Sequence, residues 1–132
     1  MILSNNLSNH IVDVSYRYLG KVFNYKEYNC VHFVREVYLN AGIIFPLLSV
    51  RDFPPVDFHL SDHEFSNMPI GHTVFFKRKE SKSERFWTHV AIIISSDSMI
   101  HCTRHLGSGV IITPKSRFME VYDITPKIQS KY

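Results

Sequence analysis

Helical periodicity confined to the first third of the chain and β-branched runs confined to its second half predict an α+β fold. Two helices come first, and the second packs on an antiparallel sheet built from the later strands. The 132 residues, 45% hydrophobic, suffice for one core and are too few for two, so residues 1–132 are expected to form a single domain. Phe 10 and Tyr 7 suit a compact domain with a stacked cleft. A formal charge of only +3, with no aromatic-plus-basic reader motif, argues against a nucleic-acid partner. No run approaches the length of a membrane span.

Leu7, Ile11, Val14 and Tyr18 mark one face of a first helix, which leads into a turn at Tyr18-Leu19-Gly20. The second helix has both ends written. Asn29 is a good N-cap, and Gly42 suits the left-handed position just past the end. Cys30, Val34, Val37, Tyr38 and Ala41 share its apolar face, while Arg35, Glu36 and Asn40 take the wet side. A Pro-rich connection, Phe45 to Pro69, follows. Strands are expected near Thr73–Lys77, His89–Ile94, Ser98–Thr103, Val110–Thr113 and Val121–Ile124. The charged run from Lys77 to Arg85 falls between two of them and reads as a solvated hairpin loop, or as a cationic rim that attracts carboxylates.

Cys30 is the first helical residue after its cap. A thiol there faces the positive end of the macrodipole, which favours thiolate over thiol. His89 and His101 follow in successive strands. If Ser95-Ser96-Asp97 is the whole loop between them, Ile94 pairs with Ser98 and Ala91 stands opposite His101. His89 is then one diagonal step from His101 on the same face, within reach of long side chains. A two-residue turn would slip the register and place the two histidines on opposite faces. With the three-residue loop, Cys30 serves as nucleophile, His89 as base and His101 as the group that orients the base. His10, His59, His63, His72 and His105 have no comparable partner pattern. A zinc site from Cys30, His89 and His101 would use legitimate ligands, but the spacing carries no metal motif, so neither metal nor other cofactor is expected. Cys102 neighbours His101 and points to the other face of its strand. It is expected to be a buried free thiol directed away from Cys30.

Several blocks then resemble the NlpC-type papain-fold cell-wall peptidases (the NlpC/p60 family): Tyr18-Leu19-Gly20, Asn29 to Val34, Gly71 to Phe76, His89 to Ile92, and Met99 to His101. The likeness runs from about Tyr16 to Thr113, and Val34 to Pro46 is most similar to phage-tail and secreted-effector members. The resemblance implies a papain-like fold and peptidoglycan stem peptides as substrate, with the bond from D-glutamate to the diamino acid as the one cleaved. It gives Cys30, His89 and His101 the three triad roles. It also makes Tyr18, twelve residues before Cys30, a substrate or oxyanion contact. Four positions depart from the pattern: Asn29 before the cysteine, Val31 and His32 after it, and His72 after Gly71. Val31 and His32 are therefore expected near the cleft, where they would bear on specificity.

The N-terminus, Met1 to Leu7, lacks the charged start, long apolar core and cleavage site of a secretory signal. The expectation is a protein made in the cytoplasm that acts in the periplasm or cell wall after non-classical delivery, as an injected antibacterial effector does. A small immunity protein would then be its cognate partner. Two other classes stand beside this one. A papain-like thiol acyltransferase would pass the acyl group to an acceptor other than water, although the related lipid acyltransferases carry histidine before cysteine. A catalytically silent binding module would need no reactive Cys30.

Overall fold

A computed structural model describes residues 4–24, 28–44, 69–82 and 87–124. In chain order the elements are α1 (Asn5–Tyr16), α2 (Cys30–Asn40), β1 (Thr73–Arg78), β2 (His89–Ile93), β3 (Ser98–Thr103), β4 (Gly109–Pro114), α3 (Lys115–Phe118) and β5 (Tyr122–Ile124). Helices plus an antiparallel sheet make the fold α+β. Most of the Pro-rich connection and residues 83–86 of the charged loop lie outside the described residues.

The two long helices form where caps and periodicity coincide. Ser4 accepts from the Leu7 N–H to start α1, and Asn29 starts α2. Beyond α2, Gly42 has φ 84°, a left-handed conformation that costs glycine little. The five strands make one sheet in the order β4-β3-β2-β1-β5, with every neighbouring pair antiparallel. The segment after α1 covers the β4 edge: Gly20 N–H donates to Val110 O at 3.0 Å and Val110 N–H to Lys21 O at 2.8 Å. At Gly109, φ is 134° and a Cβ would stand 2.1 Å from Lys21 O, so only glycine permits this approach.

Alternation along the strands divides the interior into two layers. Val90, Ile92, Ile100 and Val110 face the helices and pack with Ile11, Val14, Phe33, Val34 and Val37. Val74, Phe76, Ala91, Ile93 and Met99 face the other way and are covered by Phe118 and Tyr122. Tyr38, buried on α2, ties the helix to the start of β1 by donating to Gly71 O at 2.7 Å. The first strand runs one residue past the expected end, β2 stops one residue short of it, and β5 begins at Tyr122 rather than Val121.

Candidate active site

The first turn of α2 distributes its unpaired N–H groups in a definite way. Asn29 Oδ1 accepts from Val31 at 3.0 Å and His32 at 3.3 Å, and the Asn29 N–H donates to His32 Nδ1 at 3.3 Å. A histidine ring therefore fills the place that Glu or Gln takes in the usual capping box. The N–H groups of Val31 and of Cys30 itself turn toward Cys30 Sγ, as does the N–H of Val90 from β2. All three favour the thiolate. Burial nevertheless dominates and pushes the Cys30 thiol up to about 11. Burial therefore acts at this sulfur against the helix end and the three N–H groups. The dipole argument considered one helix end in isolation, whereas the residue is 6% exposed.

The Val90 contact follows from a break in the sheet. The β2–β3 ladder pairs Ile92 with Ile100 and Ile93 with Met99, and it is paired no further toward His89. Ile94 directs its N–H to Ser98 O on β3, so by alternation Val90 directs its own toward the same neighbour. With the strands parted there, the Val90 N–H meets Cys30 Sγ instead. Across the gap, Cys102 Sγ donates to Tyr28 O at 3.7 Å. Residues 28–30 are thus held against both strands where these separate, and this brings a helix-side thiol to the residue next to His89.

On the opposite face, His89 Nε2 and His101 Nδ1 lie 2.7 Å apart, and His101 Nε2 lies 2.7 Å from Thr113 Oγ1. The register is the one that the three-residue loop predicts, because Ser95 Oγ accepts from both Asp97 and Ser98 and closes that loop. Burial lowers both histidines: His89 falls well below its ordinary value, helped by the His101 and His105 rings, and His101 falls to about 3. Both rings are neutral at pH 7. One proton must occupy each hydrogen bond of the chain. If His89 Nε2–H donates to His101 Nδ1, then His101 Nε2–H donates to Thr113, and His89 Nδ1 keeps a lone pair. That tautomer is a base. Tyr122 stacks on His89 at 4.7 Å and Phe118 lies 5.7 Å from it, so the imidazole is fixed in orientation as well as dry.

Cys30, His89 and His101 therefore gather at one end of the sheet, although among the described residues no hydrogen bond joins Cys30 to His89 directly. Tyr18 does not join them. Its hydroxyl accepts from Asn40 Nδ2 at 2.6 Å, at the far end of α2. Ten residues at 1.5 Å each separate Asn40 from Cys30, roughly 15 Å. Spacing along the chain located a tyrosine near the helix but not the end it reaches. The expectation for Cys102 also needs correction. It points away from His101, as alternation requires, but that is the side on which Cys30 packs; both are buried free thiols of one cluster. Val31 is a core residue, 1% exposed, and His32 caps the helix, so the structure assigns both a local structural place.

Three residues near the histidines escaped sequence reasoning. Thr113 could have been found, since it stands two residues from Ile111, the β4 partner of His101, and the diagonal rule that linked His89 to His101 applies again. Phe118 and Tyr122 offered no such signal, because α3 is a single turn. Among the described residues no group of three His, Cys, Asp or Glu could hold a metal ion.

Fold and site together define an α+β protein with a thiol at a helix N-terminus set against a histidine pair on an antiparallel sheet. The chain has the NlpC/P60-type fold, to judge from the solved structures it resembles. An NlpC/P60 family protein from Bacillus cereus matches with TM-score 0.66 and 23% identity over 89% of this chain and 38% of that one. NlpC1 from Trichomonas vaginalis matches with TM-score 0.75 and 13% identity over 96% and 45%. The NlpC/p60 domain of the peptidoglycan hydrolase SagA matches with TM-score 0.65 and 21% identity over 92% and 98%. The chain thus spans less than half the length of the first two proteins and nearly all of the SagA domain. No family model matches the sequence, and no curated protein matches it either.

Proposed function

We propose that this chain is a peptidoglycan hydrolase that cleaves an amide bond of the stem peptide through Cys30, His89 and His101. The observation that carries the reading is the Val90 N–H on Cys30 Sγ, beside a His89 ring whose Nε2 is engaged by His101. The peptidoglycan substrate rests on the likeness to the SagA domain, described as part of a peptidoglycan hydrolase. The D-glutamate to diamino-acid bond rests on the family resemblance of the sequence.

Chemistry starts from a neutral thiol and a neutral imidazole. Cys30 Sγ attacks the scissile carbonyl carbon while His89 Nδ1 takes the thiol proton, and the Val90 N–H supports charge on the sulfur. His101 Nδ1 accepts from His89 Nε2–H and stabilises the imidazolium. Electrons displaced from the carbonyl collect on its oxygen, where the Cys30 N–H is the available main-chain donor. His89 Nδ1–H then protonates the departing amine as the C–N bond breaks, leaving a thioester on Cys30. Water gives a proton to His89 Nδ1, attacks the thioester carbon, and the C–S bond breaks to restore the thiol.

Purified muropeptides incubated with wild-type protein and with Cys30→Ala test this. A new fragment pair in the mass spectrum, made by wild type alone, is the expected result, and the masses identify the bond. Intact muropeptides with both proteins would remove the substrate assignment.

A further inference from the structure

The mechanism above puts a positive charge on His89, and nothing in the triad carries a negative one to offset it. Both ring nitrogens of His101 are engaged, Nδ1 with His89 and Nε2 with Thr113, each at 2.7 Å. His101 is therefore a neutral acceptor where a carboxylate would bring a full charge. Burial disfavours a cation on His89, and the His101 and His105 rings act in the same direction. A base in such a place works only if something else favours its protonated form.

Two aromatic rings stand against it. Tyr122 stacks on His89 with centroids 4.7 Å apart and planes inclined by 16°. Phe118 lies 5.7 Å from His89, 4.9 Å from His101 and 4.6 Å from Tyr122, on which it also stacks. Phe118 is fully buried and Tyr122 is 1% exposed, so solvent screens their faces little. Strand order explains the contact. On β1, Phe76 pairs with His89 of β2 and Arg78 with Tyr122 of β5, and the Tyr122 ring leans past Phe76, 6.2 Å away, to reach the imidazole. Val121 N–H donates to Phe118 O at 3.1 Å, and this turn brings both aromatic residues into one cluster. The Tyr122 hydroxyl lies 3.4 Å from Thr103 Oγ1, which fixes the far edge of the ring. Burial pushes that hydroxyl up to about 12, so the ring is uncharged at pH 7.

An aromatic face carries the negative end of a quadrupole, and it attracts a cation within about 6 Å of its centroid. An imidazolium lying flat on Tyr122 meets that condition, whereas the neutral imidazole gains only packing. We infer that the Tyr122 face, supported by Phe118, stabilises the imidazolium that His89 becomes when it takes the Cys30 proton. Tyr122 is a positioning residue that acts through His89, and it does for the base what a carboxylate does in triads that contain one. The inference rests on the hydrolase reading above and deepens it, since the gain arises only as the proton moves.

Fluorination tests the inference, because each fluorine on a phenyl ring drains its face and leaves its shape nearly unchanged. The series begins with Tyr122→Phe and continues with one, two and three fluorines on that ring. The readout is alkylation of Cys30 by iodoacetamide at pH 7, which needs the same proton transfer and no peptidoglycan. Cys30 Sγ bonds to the methylene carbon, iodide leaves, and the thiol proton goes to His89 Nδ1. The rate is expected to fall with each fluorine, reaching about a tenth of the Tyr122→Phe rate at three. In His89→Ala the same series is expected to be flat. Buried Cys102, followed in the same digests, corrects for any loss of folded protein. A rate independent of fluorine number, an equal slope in His89→Ala, or a wild-type Cys30 no faster than that of His89→Ala would each overturn the role of Tyr122. Muropeptide cleavage by the wild type decides the hydrolase reading separately: a flat series with cleavage rejects the role and keeps the hydrolase, whereas a falling series without cleavage rejects the hydrolase and keeps the role.

Discussion

Strand β3 has two neighbours and treats them differently. Toward β4 it is paired along its whole length, from Ser98 opposite Pro114 to Thr103 opposite Gly109. Toward β2 the pairing covers Ile92 and Ile93 and is not continued to His89. The closed ladder positions polar groups by register alone: His101 and Thr113 meet at 2.7 Å because the strands that carry them cannot slip. The interrupted ladder frees a main-chain donor, and the Val90 N–H goes to Cys30. The candidate site lies where a fully paired strand meets a partly paired one. The first supplies a rigid chain of hydrogen bonds, and the second an opening from the helix layer to that chain.

The largest effect expected from breaking this arrangement comes from His89, the residue shared by both regions. On the proposed mechanism His89→Ala removes the group that accepts and returns the thiol proton, and kcat/KM for a cleaved muropeptide is expected to fall roughly 10^3-fold. Burial pushes the Cys30 thiol up, which makes removal of its proton by a base more important. A variant that kept a tenth of wild-type activity would show that Cys30 does not depend on this histidine.

Acid should expose the cost of the closed side. His101 is held neutral by burial down to about 3, whereas the unfolded chain protonates it near 6.5. Below pH 6.5 the unfolded state binds the extra proton, so stability is complete above that pH and declines as pH falls toward 3. His101 alone then accounts for about 2 kcal/mol of loss by pH 5, and His89, lowered in the same direction, adds to it. Urea unfolding at pH 7 and pH 5 measures this loss. His101→Asn should shrink the difference by about that amount, and an unchanged difference would place the acid sensitivity elsewhere.

A smaller effect should follow at the end of the chain of hydrogen bonds. In the base-competent tautomer His101 Nε2–H donates to Thr113 Oγ1. Thr113→Val keeps the shape and removes the acceptor, leaving a buried donor unpaired at about 1–3 kcal/mol. The alternative tautomer, with the proton on His101 Nδ1, then gains, and it leaves a proton on His89 Nδ1 where the thiol needs a lone pair. A loss of about tenfold in kcat/KM is expected, with recovery in Thr113→Ser. Recovery by serine separates the hydrogen bond from packing, because serine restores the oxygen and not the methyl.

What the sequence disclosed follows the same division. The loop Ser95-Ser96-Asp97 set the hairpin register, and the register set the histidine pair, because strand geometry has a period of two and few alternatives. The α2 boundaries were legible for a similar reason, since Asn29 and Gly42 are local signals for local conformations. Three matters were not local. Alternation says that Cys102 and His101 point oppositely, but not which face the helices choose. The ionisation of Cys30 depends on burial by residues distant in sequence, which outweighed a helix end read correctly. Phe118 and Tyr122, which clamp His89, reach it through a single turn of helix and a three-residue strand too short to leave a pattern.

The smallest effect expected separates chain spacing from position in space. Tyr18 lies twelve residues before Cys30, and its ring packs edge-on against Phe33 at 6.0 Å while its hydroxyl meets Asn40. Tyr18→Phe keeps the ring and removes one exposed hydrogen bond at the end of α2 opposite the thiol. Activity should change less than twofold and stability by about 0.5 kcal/mol, since such a bond competes with water. Loss of an oxyanion donor would instead lower kcat by about 10^2-fold or more. The kinetics of this one variant decide whether the oxyanion rests on main-chain donors at Cys30 or on a tyrosine that the helix holds roughly 15 Å away.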